Sequence, residues 1–487
     1  MLAGTRLEKY SGRERDSLRE RNRVKERSGR ERDSFWERIQ VEKYSGRERD
    51  SLAVGIIFVH KCCTLTEEIM KNKFLSLAIV VVAGTMALMA SCEDQTAKIL
   101  PTDPVEIELT LKQKEVVALT NRFAFDLFKP VVAGEGSGTN IMISPFSITS
   151  ALSMTLNGAA GETFNAVRSA LRYDGQSLEE INDTWRKLVT EMVPVDERVV
   201  MEIANSVWAE NNFPVKKDFI DALKEWYLAE ARNFDITDPG SVDIINGWIE
   251  EKTHDRIQNM LSSLDRDLVM LLINAVYFNG KWKHQFDVKN TTERPFFVTP
   301  GNPVNVPVMF QKQKFSMSRP EKVTLVELPY GQGNYSMVVA LPDEGIAPLQ
   351  IVTGLDAGKW EEWMESLSYG PTEVELYMPK FRYEYKRKLN DDLISLGMGR
   401  AFDPGTADFS RISDEEIFIS FVLHQTFIEN KEEGTEAAAA TVAGFTRTSL
   451  PPEPEVIDIN RPFLYFIRET TTGTIVFMGL VADPTGV

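Results

Sequence analysis

Cysteine is nearly missing from this chain. There are three in 487 residues, and Cys62, Cys63 and Cys92 all precede the part with globular patterning. A disulfide framework is therefore excluded from that part. Histidine is almost as scarce, with His60, His254, His284 and His424 the full set. No HExxH occurs, which excludes a zincin site, and the lack of GxSxG argues against an α/β-hydrolase nucleophile. The glycine-rich stretch at residues 134–138, GEGSG, lacks the third glycine of the dinucleotide fingerprint and the Lys-Ser/Thr of a P-loop. It reads as a surface turn. Neither a metal nor a cofactor is expected, and with no catalytic constellation in view the chain does not read as an enzyme. Basic charge is in deficit too, with 55 Lys+Arg against 72 Asp+Glu and a net charge of −17. Beyond residue 73 the balance is 37 against 59. A body this acidic does not bind nucleic acid through phosphate contacts, and it favours basic partners.

The one long apolar run sits away from the body. Residues 70–92 read MKNKFLSLAIVVVAGTMALMASC: two lysines, an apolar stretch and then small residues before Cys92. That is the pattern of a secretory signal, and the apolar stretch is short for a bilayer span of about 20 residues. Ahead of it, residues 1–69 repeat SGRERDS from Ser11, Ser28 and Ser45, with 16 Lys+Arg and 13 Asp+Glu. Glycine interrupts each unit and little is available to pack, so the segment reads as disordered or as sequence upstream of a true start at Met70. A nucleic-acid-binding arm is the functional alternative. Residues 93–112 follow as a polar tether, and residues 113–487 form the folded domain.

Within that domain, Val116, Val117, Leu119, Phe123, Phe125, Leu127 and Phe128 follow a helical period. Ser144-Pro145 suits a helix start. Helical patterns dominate residues 179–256, with a strand at IANSVW. Beyond Leu271 strands prevail: LLINAVYF, KVTLVELPY, YSMVVALP and VELYMPKF. Residues 417–428 read as a further strand. Apolar runs at 463–467 and 474–478 predict a closing hairpin. Helices and strands grouped in this way indicate an α+β fold.

Residues 432–452, EEGTEAAAATVAGFTRTSLPP, fit neither the 3.6 nor the 2.0 period of a core element. A loop of about 20 residues in a compact domain is usually functional or disordered. As a strand, its first half would place Thr435, Ala437, Ala439, Thr441 and Ala443 on one side, all small. Glu436, Ala438, Ala440 and Val442 would take the other, so the only charge could stay in water. Such a segment could slide between two existing strands. An alanine-rich run also favours a short helix, and an exposed loop can be partly helical before it inserts.

At this stretch the chain resembles the serpin family. The hinge motif EEGTEAAAAT at 432–441 is similar to the inhibitory serpin hinge almost residue for residue. Further matches run in family order: NIMISPFSITSALSMTLNGAAGET (140–163), IANSVW (203–208), INAVYFNGKWKHQF (273–286), ERPFF (293–297), VELPY (326–330), LYMPKFRYEY (376–385), FS (409–410) and NRPFLYFIRETTTGTIVFMGLVADPT (460–485). The resemblance implies helices packed around three β-sheets with an exposed reactive-centre loop. It implies a monomer that inhibits serine proteases, and some cysteine proteases, as a suicide substrate without a cofactor. The hinge would be Gly434, Thr435, Glu436, Ala437, Ala438, Ala439, Ala440 and Thr441. Ser144, Ser147, Asn274 and His424 would form a hydrogen-bonded shutter beneath the central sheet, and Trp282 would mark the breach where the loop first enters. By family spacing the scissile bond is Thr448-Ser449, suiting an elastase-like pocket. One residue earlier, Arg447-Thr448 suits a trypsin-like one. A non-inhibitory serpin acting as a binding or scaffold protein is the alternative. Met89-Ala90-Ser91-Cys92 resembles a bacterial lipobox, which implies export and a lipid anchor at Cys92 to the outer membrane or cell surface, the other outcome being an extracellular protein.

Overall fold

Helix α1 (Leu111–Gly134) begins at a reciprocal capping box. Thr110 Oγ1 accepts the Gln113 backbone N–H, and the Gln113 side chain accepts the Thr110 N–H in return. The cap fixes the start at Leu111, ahead of the buried apolar series, and Val116, Val117, Phe123, Leu127 and Phe128 are buried as their spacing predicts. The structure is a computed structural model that describes residues 102–136, 138–432 and 453–486. These belong to a single unit, residues 100–487.

Strand β1 (Ile141–Ile143) leads into α2 (Pro145–Gly158), where the Ser144 side chain accepts the Ser147 N–H and proline takes the first turn. Almost every residue of α2 is buried, and it carries no charged side chain, its polar residues being small hydroxyls and one asparagine. Helices α3 (Gly161–Ala170) and α4 (Leu178–Lys187) follow. Next come β2 (Val199–Glu210), α5 (Lys217–Tyr227), β3 (Glu230–Phe234), α6 (Ser241–Lys252) and β4 (Met270–Gly280). The remainder is β5 (Thr292–Thr299), β6 (Asn302–Ser318), β7 (Val323–Pro329), β8 (Tyr335–Pro342), α7 (Pro348–Gly354), α8 (Ala357–Leu367), β9 (Thr372–Pro379), β10 (Phe381–Lys388), β11 (Leu423–Asn430), β12 (Glu455–Asp458), β13 (Phe463–Glu469) and β14 (Ile475–Val481), with short helical turns after β10.

Three sheets are built from these strands. The largest runs β1-β14-β13-β8-β7-β6-β9-β12, with β5 paired to β6. The second is β3-β2-β4 and the third β10-β11. Strands β8, β13 and β14 are buried along their lengths, which is why they read as continuous apolar runs instead of alternating ones. Two differences from the sequence reading have physical causes. Strands β5 and β6 were not read as strands because Pro295, Pro303 and Pro307 break up their apolar residues, and a proline within a run argues against a strand. Residues 417–422 are apolar yet lie outside any ladder, and β11 begins only at Leu423. The proposed tether also ends early, because residues 102–109 already contact the body, with Ile107 and Leu109 buried.

Gly479 sits directly opposite Tyr465 across the β13–β14 pair. A Cβ there would overlap the Tyr465 ring, and the Tyr465 hydroxyl is held at 2.8 Å by that of Tyr383. The Gly479→Ala variant is expected to lose about 1–3 kcal/mol, read as a lower urea midpoint; an unchanged midpoint would show that the ring can move aside.

Candidate functional site: the gap between β4 and β11

Strand β4 pairs with β2 on one side, and β11 pairs with β10 on one side. Among the described residues no ladder joins β4 to β11. A cavity of about 220 Å³ lies between them, lined by residues 267–274, residues 416–424 and the inner face of α2. A smaller one of about 90 Å³ continues toward Trp282 and Tyr330.

Ser144, Ser147, Asn274 and His424 meet at the floor of this gap. The Ser144 backbone N–H donates to His424 Nε2 at 3.0 Å, and Ser144 Oγ donates to the Val476 carbonyl at 2.8 Å. Ser144 Oγ also accepts the Ser147 N–H at 3.1 Å. Ser147 Oγ donates to Asn274 Oδ1. Asn274 Nδ2 donates to Asn205 Oδ1 at 2.6 Å, and Asn205 Nδ2 reaches the Tyr227 carbonyl at 2.7 Å. The result is one chain of hydrogen bonds from β11 through the start of α2 to β4, β2 and α5. A network of this kind is rigid only while every member is satisfied. Because Nε2 accepts, the imidazole is neutral with its proton on Nδ1. Burial drives the same way, lowering the His424 pKa to about 3.

The top of the gap is held differently. Trp282 Nε1 donates to the Lys431 carbonyl at 3.1 Å, and the indole stacks on Tyr330 at 4.2 Å. Glu432, the last described residue before the hinge, is buried. Its carboxylate meets Lys380 Nζ at 2.7 Å and accepts the Thr291 hydroxyl at 2.7 Å. Burial alone would raise its pKa, but the bonds from Lys380 and Thr291 outweigh it and hold the pKa below the usual value. The end of β11 is thus tied to Trp282 beyond β4 and to the β9–β10 junction.

Asn205, Lys380 and Glu432 were not singled out as site residues by the sequence reading, although each falls within a matched motif. The types gave no signal: an asparagine in IANSVW and a lysine in MPKF look like ordinary surface residues until the fold brings them together. The hinge residues 434–441, the candidate scissile residues Arg447, Thr448 and Ser449, and Cys92 lie outside the described residues. Among the described residues no cluster of metal-binding side chains occurs, and no helix is long and apolar enough to cross a membrane.

The sequence profile of the family described as "Serpin (serine protease inhibitor)" matches residues 118–484. A serpin-like protein of the archaeon Methanosarcina acetivorans is 33% identical over 417 residues, spanning 82% of this chain and 95% of that protein. The human leukocyte elastase inhibitor is 33% identical over 382 residues, spanning 76% of this chain and all of the inhibitor. Among solved structures, the thermophilic serpin tengpin in its native state is similar with a TM-score of 0.69 and 32% identity, over 80% of this chain and 98% of tengpin.

Since the folded pKa of His424 is below its ordinary value of 6.5, folding excludes a proton that the unfolded chain binds. Stability is full above pH 6.5 and falls as pH drops from there toward 3, with a limiting slope of about 1.4 kcal/mol per pH unit. The His424→Gln variant is expected to be less stable at pH 7.5 but to lose less on acidification to pH 5. Parallel stability–pH curves for the two proteins would contradict the assignment.

Proposed function

The chain belongs to the serpin family, and we propose that it inhibits serine proteases as a suicide substrate. The protease attacks the loop at residues 433–452 and forms an acyl bond, and the cut loop enters between β4 and β11, carrying the enzyme with it. The observation that carries the reading is the pair of strand edges, β4 and β11, with no ladder between them among the described residues. The small-residue alternation at Thr435, Ala437, Ala439, Thr441 and Ala443 supplies a strand that fits there. Displacement of about 1 Å in an active site can slow a reaction a hundredfold, so dragging the acyl-enzyme stalls deacylation. The reading needs no catalytic group and no cofactor from this chain. Its targets are trypsin-like proteases through Arg447 and elastase-like ones through Thr448, the latter favoured by register.

Mixing the purified protein with trypsin and with an elastase is expected to give a band at the summed mass on denaturing gels. The enzyme that gives it chooses between the two bonds. Cleavage without a complex would instead favour a non-inhibitory serpin acting as a binding protein. Thr435→Arg would bring a charge into the sheet interior and is expected to convert the inhibitor into a substrate, cleaved with at least a tenfold lower yield of complex; full inhibition by that variant would sink the insertion step.

The same reading places the domain outside the cell on a lipid anchor at Cys92. Labelling with a palmitate analogue in the producing bacterium should mark the wild-type chain and not Cys92→Ser. Equal labelling of both would remove the anchor from the account.

A further inference from the structure

Residues 102–109 do not hang free before α1. They lie against the turn that joins β7 to β8 (residues 330–334) and the turn that joins β13 to β14 (residues 470–474). Asn334 is fully buried and binds the backbone of Val105 in both directions. Its Oδ1 accepts the Val105 N–H at 2.8 Å, and its Nδ2 donates to the Val105 carbonyl at 2.8 Å. Ile107 N–H donates to Thr471 Oγ1 at 3.3 Å, and Lys283 Nζ donates to the carbonyls of Thr102 and Gln332, each at 2.9 Å. The buried Glu469 carboxylate anchors the floor by accepting from Asn334, Thr471 and Thr472. Gly333 adopts φ +113°, and a Cβ there would press on Pro104 at 3.2 Å. Polar groups this deeply buried and mutually satisfied form a built peptide groove, not an incidental surface contact.

The far wall of that groove is the top of the gap. Lys283 N–H donates to the Pro329 carbonyl at 2.8 Å, Gly331 N–H donates to the Lys281 carbonyl at 2.6 Å, and Trp282 stacks on Tyr330 between them. Trp282 in turn holds the Lys431 carbonyl at the end of β11. The strap therefore braces, from outside, the same short bridge that grips β11 from inside.

We propose that residues 102–109 are a detachable strap that holds the upper end of the β4–β11 gap in register. A cut in the tether or a pull on it withdraws the strap, frees Lys283 and the 330–334 turn, and loosens the hold of Trp282 on Lys431. The brace stands on the contacts above. Its effect on loop entry rests on the inhibitory reading. Events upstream of the domain would then set how readily the sheet accepts a strand.

The test uses the full chain. Val105→Pro removes the N–H that Asn334 accepts and leaves every body residue in place, whereas Val105→Ala keeps the backbone bonds and changes only a half-exposed side chain. By hydrogen exchange, the amides of Lys283 and Gly331 are expected to exchange at least about tenfold faster in Val105→Pro than in wild type. Phe466, in the centre of β13, should be unchanged, and Val105→Ala should match wild type. A peptide spanning residues 100–109, added in excess, should restore much of the protection. Equal exchange at Lys283 and Gly331 in Val105→Pro and wild type would overturn the strap, and so would a uniform rise that includes Phe466. Complex formation by the wild-type protein is scored separately with trypsin and elastase, so a failure of inhibition would not be mistaken for a failure of the brace.

Discussion

The structure depends on two strand edges, β4 and β11, that no ladder joins among the described residues. Backbone N–H and C=O groups are obligatory hydrogen-bonding groups, and leaving them unpaired is costly. On the proposed mechanism, a sheet interrupted between β4 and β11 would hold free energy that an intervening strand releases. A strand of about 15 residues could add some ten backbone bonds, each with a net value of roughly 0.5 to 1.5 kcal/mol. That total is comparable with the whole stability of a typical domain, about 5 to 15 kcal/mol. The folded state would then persist for kinetic reasons.

What would delay such a release lies at the two ends of the gap. At the floor, the neutral imidazole of His424 and the Ser144–Ser147–Asn274–Asn205 chain fasten β11 and β4 to the start of α2. Parting the strands further breaks bonds between buried groups, which are dear to leave unsatisfied. At the top, Trp282 and the Lys380–Glu432 pair hold the chain where it leaves β11. A charged pair with one partner buried is a poor source of net stability, but losing one partner strands the other charge. The contact suits a latch better than a girder.

Much of this was legible in the sequence, and the parts that were not share a cause. The helix over Val116 to Phe128 announced itself by period, and the closing hairpin by two apolar runs. Ser144, Ser147, Asn274 and His424 were named through the family resemblance, and they meet in space; nothing in their spacing along the chain would have joined residues up to 280 positions apart. Asn205 and Lys380 went unnamed because a polar residue becomes remarkable only once its surroundings are known to be buried. Strands β5 and β6 are interrupted by Pro295, Pro303 and Pro307, which argue against a strand. Residues 417–422 misled in the opposite sense. Their apolar side chains line the larger cavity, so they satisfy the pattern of a strand while pairing with none.

The most direct measurement is thermal unfolding of the intact protein beside the same protein cut once within residues 445–450. If the gap stores the free energy of a missing strand, the cut form should melt higher, by roughly 6 to 19 °C, the shift expected when about 5 to 15 kcal/mol is gained by a chain of this size. A cut protein that melts at or below the temperature of the intact one would contradict the account.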